Sequence, residues 1–228
     1  MSDIDPAFDA SGHRARLRDR LIAGGTDALL DHEIIEYLLM LTIPRVDTKP
    51  MARALIDEFG GFGPLLAAEP GTLARAGVSD AKIAAIRIAQ ISAERLLKSR
   101  VADRPVLSGW QALSDYLHGA MAHRAIECAR VLHLNTKNVL IRDELISEGS
   151  IDQAAIHVRE VVRRALELHS AAIILVHNHP SGDPAPSKQD IAITREIVAA
   201  CRPLGIAVHD HVIVGAKGQA SLRSLGLI

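Results

Sequence analysis

The sequence predicts an α/β protein in which a helical N-terminal region precedes a mixed sheet flanked by helices. Up to about residue 100, apolar residues recur at helical spacing between Gly- and Pro-bearing turn signals, as with Ile34, Ile35, Leu38 and Leu39. Beyond residue 105, short apolar runs suited to strands alternate with amphipathic stretches such as the one from Val158 to Leu166. With 228 residues, 48% of them hydrophobic, the chain can build one large domain or two small ones.

The elements follow in order. Residues 1–12 open acidic and polar and are expected to lack regular structure. Residues 13–23 read as a basic amphipathic helix, 31–41 as a second and 49–59 as a third, which Gly60-Gly61 stops. Leu65-Leu66 packs a short turn, and residues 79–97 form a long Ala/Ile-rich helix. Residues 13–100 thus make a helical domain, 101–105 a linker and 106–228 a second domain. The second domain opens with a helix over 110–118. Strands at 129–134 and 139–147 are joined by the polar turn Asn135-Thr136-Lys137-Asn138. A helix over 158–168, a strand over 171–176, a helix over 190–200 and strands at 207–215 and 220–223 complete it.

The most informative stretch begins where the strand 171–176 ends, at His177-Asn178-His179-Pro180-Ser181-Gly182-Asp183. Side chains alternate along a strand, so His177 and His179 point the same way. Asp190 lies eleven residues beyond His179, past a Pro/Gly-rich turn. Two imidazoles and a carboxylate leave a tetrahedral zinc with one open position, which normally holds water. Ser187 and Asp190 also read as a helix N-cap and its N3 acid, a role compatible with metal binding. The competing reading is a strand-end histidine pair held by ordinary hydrogen bonds. The whole frame, His-x-His, seven residues, then Ser-x-x-Asp, resembles the metal-binding signature of the JAMM (MPN-plus) metalloproteases. His177, His179, Ser187 and Asp190 fill its defining positions.

The resemblance extends further. Gly12-His13-Arg14-Ala15-Arg16-Leu17-Arg18, Ile43-Pro44-Arg45-Val46-Asp47-Thr48-Lys49-Pro50, Glu148-Gly149-Ser150-Ile151-Asp152, Arg159-Glu160-Val161-Val162 and Asp210-His211 all resemble the bacterial RadC family (the UPF0758 group). That likeness covers nearly the whole chain. It implies a helical, helix-hairpin-helix-like N-terminal domain joined to a JAMM/MPN-type domain, with zinc held by His177, His179 and Asp190. It also implies a general-base glutamate from an early strand, for which Glu127 is the candidate and Glu160 the competitor. Ser187 would help stabilise an oxyanion. The function implied is zinc-dependent amide-bond hydrolysis on an unspecified peptide or protein. The alternative is a DNA-associated repair factor whose metal is structural.

Residues 73–83 resemble a helix-hairpin-helix turn, a motif that grips duplex backbone through amides at a helix N-terminus. Ser79 replaces its second glycine and Asp80 follows, so a plain helix–helix turn with Ser79 as N-cap is the preferred reading. Charge agrees: residues 1–104 hold 14 Lys/Arg against 15 Asp/Glu and the rest hold 12 of each, without the excess a phosphate-tracking surface needs. His13, Arg14, Arg16, Arg18 and Arg20 are read mainly as solvated surface.

Aromatics at 3% leave few rings for stacking bases. Cys128 and Cys201 form no Cys-x-x-Cys, which excludes a thiolate zinc cage, a redox motif and the nucleobase-deaminase pattern. The start has neither a basic segment nor an apolar run, and nothing approaches the length of a membrane span, so a soluble cytoplasmic protein is expected. His209-Asp210-His211 is a second His-x-His without the downstream Ser-x-x-Asp. Its histidines read first as satisfied strand residues, with a hydrogen bond to a metal ligand as the alternative. The role of His157 is open, and His118, His123, His133 and His169 receive none.

Overall fold

The computed structural model describes residues 6–43, 46–101, 105–149 and 156–228. Pro44-Arg45, Ser150-Ile151-Asp152 and most of the expected linker lie outside them. The chain divides into two compact units, Met1–Ser92 and Ala93–Ile228.

The first unit is helical: α1 (Pro6–Ala23), α2 (Asp31–Met40), α3 (Lys49–Phe59), α4 (Phe62–Ala67), α5 (Pro70–Arg75) and the first half of α6 (Asp80–Val101). Residues 6–12, expected to lack regular structure, are instead the opening turns of α1. Pro6 suits the first helical position, and Ala7 and Ala10 are strong helix formers. Ile35, Leu39, Ala52, Leu55, Leu65, Leu73, Val78, Ile83 and Ile86 form the core of this unit.

The N-terminal cations also depart from expectation. His13 Nε2 lies 2.8 Å from Oε1 of the fully buried Glu36. Arg14 donates to the carbonyls of Ile43 and Val46 at 2.7 and 2.9 Å. Arg20 pairs with Glu33 at 2.7 Å. Helical geometry turns these three toward α2, so they bind this unit together rather than standing in solvent. The expected linker at 101–105 is likewise not where the units divide. The division falls inside α6, whose last residue, Val101, is 4% exposed and belongs to the core of the second unit.

The second unit continues with α7 (Trp110–Met121), β1 (Cys128–Leu134), β2 (Leu140–Glu148), α8 (Val158–Glu167), β3 (Ala172–Asn178), α9 (Lys188–Cys201), β4 (Ala207–Gly215) and β5 (Gly218–Ser221). The sheet order is β2-β1-β3-β4-β5. β1 pairs antiparallel with β2 and with β3, β3 pairs parallel with β4 through the α9 crossover, and β5 returns antiparallel.

Every residue of β3 is buried, as expected of a central strand covered on both faces. Ala172, Ile174 and Val176 face the α7 side with Leu113, Leu117 and Met121. Ile173 and Leu175 face Val161, Ala165, Ile197 and Cys201 of α8 and α9. The two-residue period therefore sends His177 to the α9 face and Asn178 to the α7 face. Among the described residues no helix is long and apolar enough to cross a membrane.

Candidate metal centre

The site forms where β3 ends and α9 begins, outside the carboxyl end of a parallel strand, where open α/β sheets place their ligand crevices. His177 is 1% exposed at the strand end. His179 follows at the start of the turn, its amide donating to the Val214 carbonyl at 2.9 Å. Gly182, with φ of +80°, folds the turn back, and its amide donates to the His179 carbonyl at 2.9 Å. Ser187 caps α9: its Oγ accepts from the Asp190 amide at 3.1 Å, and its own amide donates to Asp190 Oδ2 at 2.7 Å. This reciprocal box fixes Asp190 on the first turn, facing the strand end.

His177, His179 and Asp190 are the one group of three or more potential ligands that converges among the described residues. His177 Nε2 and His179 Nε2 are 3.0 Å apart, His177 Nε2 and Asp190 Oδ1 3.2 Å, and His179 Nε2 and Asp190 Oδ2 3.6 Å. Zinc bonds of about 2.0–2.1 Å at tetrahedral angles separate neighbouring donors by about 3.3 Å, so the donor triangle fits that ion.

The far sides of the ligands are tied. His179 Nδ1 is 2.8 Å from the Asp183 carbonyl oxygen. A carbonyl only accepts, so that proton sits on Nδ1 and neutral His179 turns a bare Nε2 inward. His177 Nδ1 is 2.8 Å from Nε2 of His211, which faces Thr194 with its other nitrogen. The hydrogen bond to Asp190 raises the His179 pKa. Burial opposes ionisation of Asp190, but hydrogen bonds from His177, His179 and Ser187 outweigh it and hold the carboxyl far below its usual range. Burial holds His211 well below the ordinary histidine value.

Glu127 directly precedes β1 and is half-buried. The pairing of β1 with β3 ends at Ala129 and His177; by strand alternation Glu127, two residues earlier, shares the face of Ala129, which is that of His177. Its charge acts on His179. No ion pair or hydrogen bond of its carboxylate occurs among the described residues. Its neighbours are held by Asn178, the residue between the two histidines. Asn178 Oδ1 accepts from the Cys128 amide at 2.9 Å, and Nδ2 donates to the Ile126 carbonyl at 3.2 Å. Glu160 is engaged elsewhere, in the first turn of α8 beside Arg163 at 2.9 Å.

The second His-x-His divides its duties. His211 meets His177, whereas His209 meets Asn138 at 2.7 Å. Asp210 between them is structural: it accepts from Ser221 Oγ and the Arg223 amide, pinning the C-terminal turn. His157 is the N-cap residue of α8 and makes no side-chain cap bond. Sequence reasoning missed Asn178 and Thr194. Asn178 was detectable as an amide on the opposite face from two histidines, while nothing local marked Thr194.

A family profile described as RadC-like JAB domain matches residues 107–227. The chain is 50% identical over 213 residues to a UPF0758 protein of Rhodobacter capsulatus, spanning 93% of this chain and 100% of that one. It is 48% identical over 217 residues to UPF0758 protein SPO0054 of Ruegeria pomeroyi, spanning 95% and 97% respectively.

Proposed function

Since the chain belongs to the RadC (UPF0758) family and carries its JAB-type domain, we propose that it is a zinc-dependent hydrolase of amide bonds. The observation that supports this most is the donor triangle of His177, His179 and Asp190, with a glutamate whose charge reaches His179. Zinc bound there would supply a Lewis acid for the scissile carbonyl and acidify a water at its open corner.

The chain's own residues do the rest. Glu127, without a cationic partner among the described residues, takes a proton from the attacking water as oxygen bonds to the carbonyl carbon. It then delivers that proton to the departing amine as the C–N bond breaks. Ser187 serves two roles without conflict. As N-cap its Oγ accepts from the Asp190 amide through a lone pair, which leaves the hydroxyl proton to donate to the developing oxyanion.

Metal analysis tests the reading. The purified protein is expected to hold one zinc per chain, and His177→Ala to lose it. Glu127→Gln is expected to keep the zinc and lose cleavage of a peptide or isopeptide-linked protein library, read by mass spectrometry. A native protein that takes up no divalent ion would sink the proposal.

A further inference from the structure

His177 is anchored by the longest chain of contacts in the site. Its Nδ1 lies 2.8 Å from His211 Nε2, and His211 Nδ1 lies 2.6 Å from Thr194 Oγ1. Thr194 Oγ1 in turn hydrogen-bonds the backbone carbonyl of Asp190, one turn back along α9. His177, His211 and Thr194 are all buried, so bulk water does not compete for these positions.

The direction of each bond follows from the carbonyl end. A backbone carbonyl only accepts, so the Thr194 hydroxyl proton points at Asp190. Were it turned toward His211 instead, two oxygens would face each other in close contact with no proton between them. Oγ1 therefore offers His211 only lone pairs, and His211 Nδ1 carries a proton. A buried imidazole with no carboxylate in hydrogen-bond contact is neutral, so its Nε2 is bare and accepts from His177 Nδ1–H. His177 Nε2 is then left to face His179 Nε2 at 3.0 Å and Asp190 Oδ1 at 3.2 Å, and it becomes a ligand atom once any proton shared with that carboxylate gives way to a cation.

We propose that Thr194 and His211 are positioning residues for the metal: a one-way hydrogen-bond relay, started by the main chain of Asp190, that fixes His177 as the Nδ1–H tautomer and keeps its Nε2 free to bind. This rests on the metal site proposed above and adds that one ligand's backbone sets the protonation of another ligand's ring. Run in reverse, the relay would place a proton on His177 Nε2, where the ion belongs.

Thr194→Val keeps the side-chain shape and removes the acceptor, so His211 shifts its proton to Nε2 and the relay reverses. Zinc affinity, measured by competition with a chromophoric chelator, is expected to fall by about 10- to 100-fold, the usual effect of losing a partner behind a ligand. Thr194→Ser restores the hydroxyl and is expected to restore affinity. Nitrogen-15 spectra of the imidazoles in metal-free protein are expected to show a proton on Nδ1 of both His177 and His211 in the native and Ser forms, and in the Val form a proton on His211 Nε2 with His177 Nδ1 bare. A bare Nδ1 on His177 in the native protein overturns the relay. So does a folded Val variant with native affinity and tautomers. Should Thr194→Val fail to fold, the native tautomers decide alone. Should the native protein take up no zinc, the metal site falls, while those tautomers still judge the relay separately.

Discussion

Asn178 separates the two histidines in sequence and serves a different strand. Its amide bridges Ile126 and Cys128, so the backbone on either side of Glu127 is fastened to the ligand strand. Asn178→Ala leaves the buried Cys128 amide without its acceptor, at a cost of about 1–3 kcal/mol. Urea denaturation is expected to show that loss while zinc content stays native, because no ligand has changed. Lost zinc would show instead that the ligands themselves had moved. The three proposed ligands were legible because they occupy one contiguous frame from His177 to Asp190. Glu127 was legible only through family likeness. Its place depends on the pairing of Ala129 with His177, which no local spacing encodes. His211 was marked only as one of two histidines able to support a ligand, and Thr194 stayed hidden, because their meeting is set by α9 packing on β4.

At the scale of elements, the turn after β3 depends on a close approach to β4. A Cβ at Gly215 would lie 2.4 Å from the Gly182 carbonyl oxygen, which also accepts from the Lys217 amide at 3.0 Å. Gly215→Ala therefore pushes the turn outward and loosens the Asp183 carbonyl that orients His179. Thermal melting is expected to show a cost of about 1–3 kcal/mol, typical of overpacking. Chelator competition is expected to show weaker zinc binding, and native affinity would mean the turn is not what orients His179. Strand and helix positions were mostly readable, since β3 is a continuous apolar run and α9 begins with its own cap. The boundary between units was not. Residues 100–105 carry linker-like composition, but Leu97 and Val101 pack into the second core, and that depends on tertiary contact.

For the whole molecule, histidine burial sets the response to acid. His133 is fully buried, and burial lowers its pKa, as it does for His123, His209 and His211. A histidine held low in the folded state binds fewer protons there than when unfolded. Stability is therefore lost as pH falls through about 6.5, the unfolded value. His179, raised by Asp190, acts in the opposite sense but is one group against four. Denaturation midpoints of metal-free protein are expected to drop between about pH 7.5 and about pH 5.5, either side of the ordinary histidine value. A rise over that interval would contradict the assignment.

The crossover that carries all three proposed ligands has a consequence for synthesis. His177 to Asp190 emerge within fourteen residues of one another, whereas Glu127 directly precedes a strand about fifty positions earlier. On the proposed reading, an ion can be captured by a single strand–turn–helix segment, but attack on a bond needs the neighbouring strand docked in register. An immature copy of the chain is thus a chelator before it is a blade, and its reactivity switches on only when the sheet has closed.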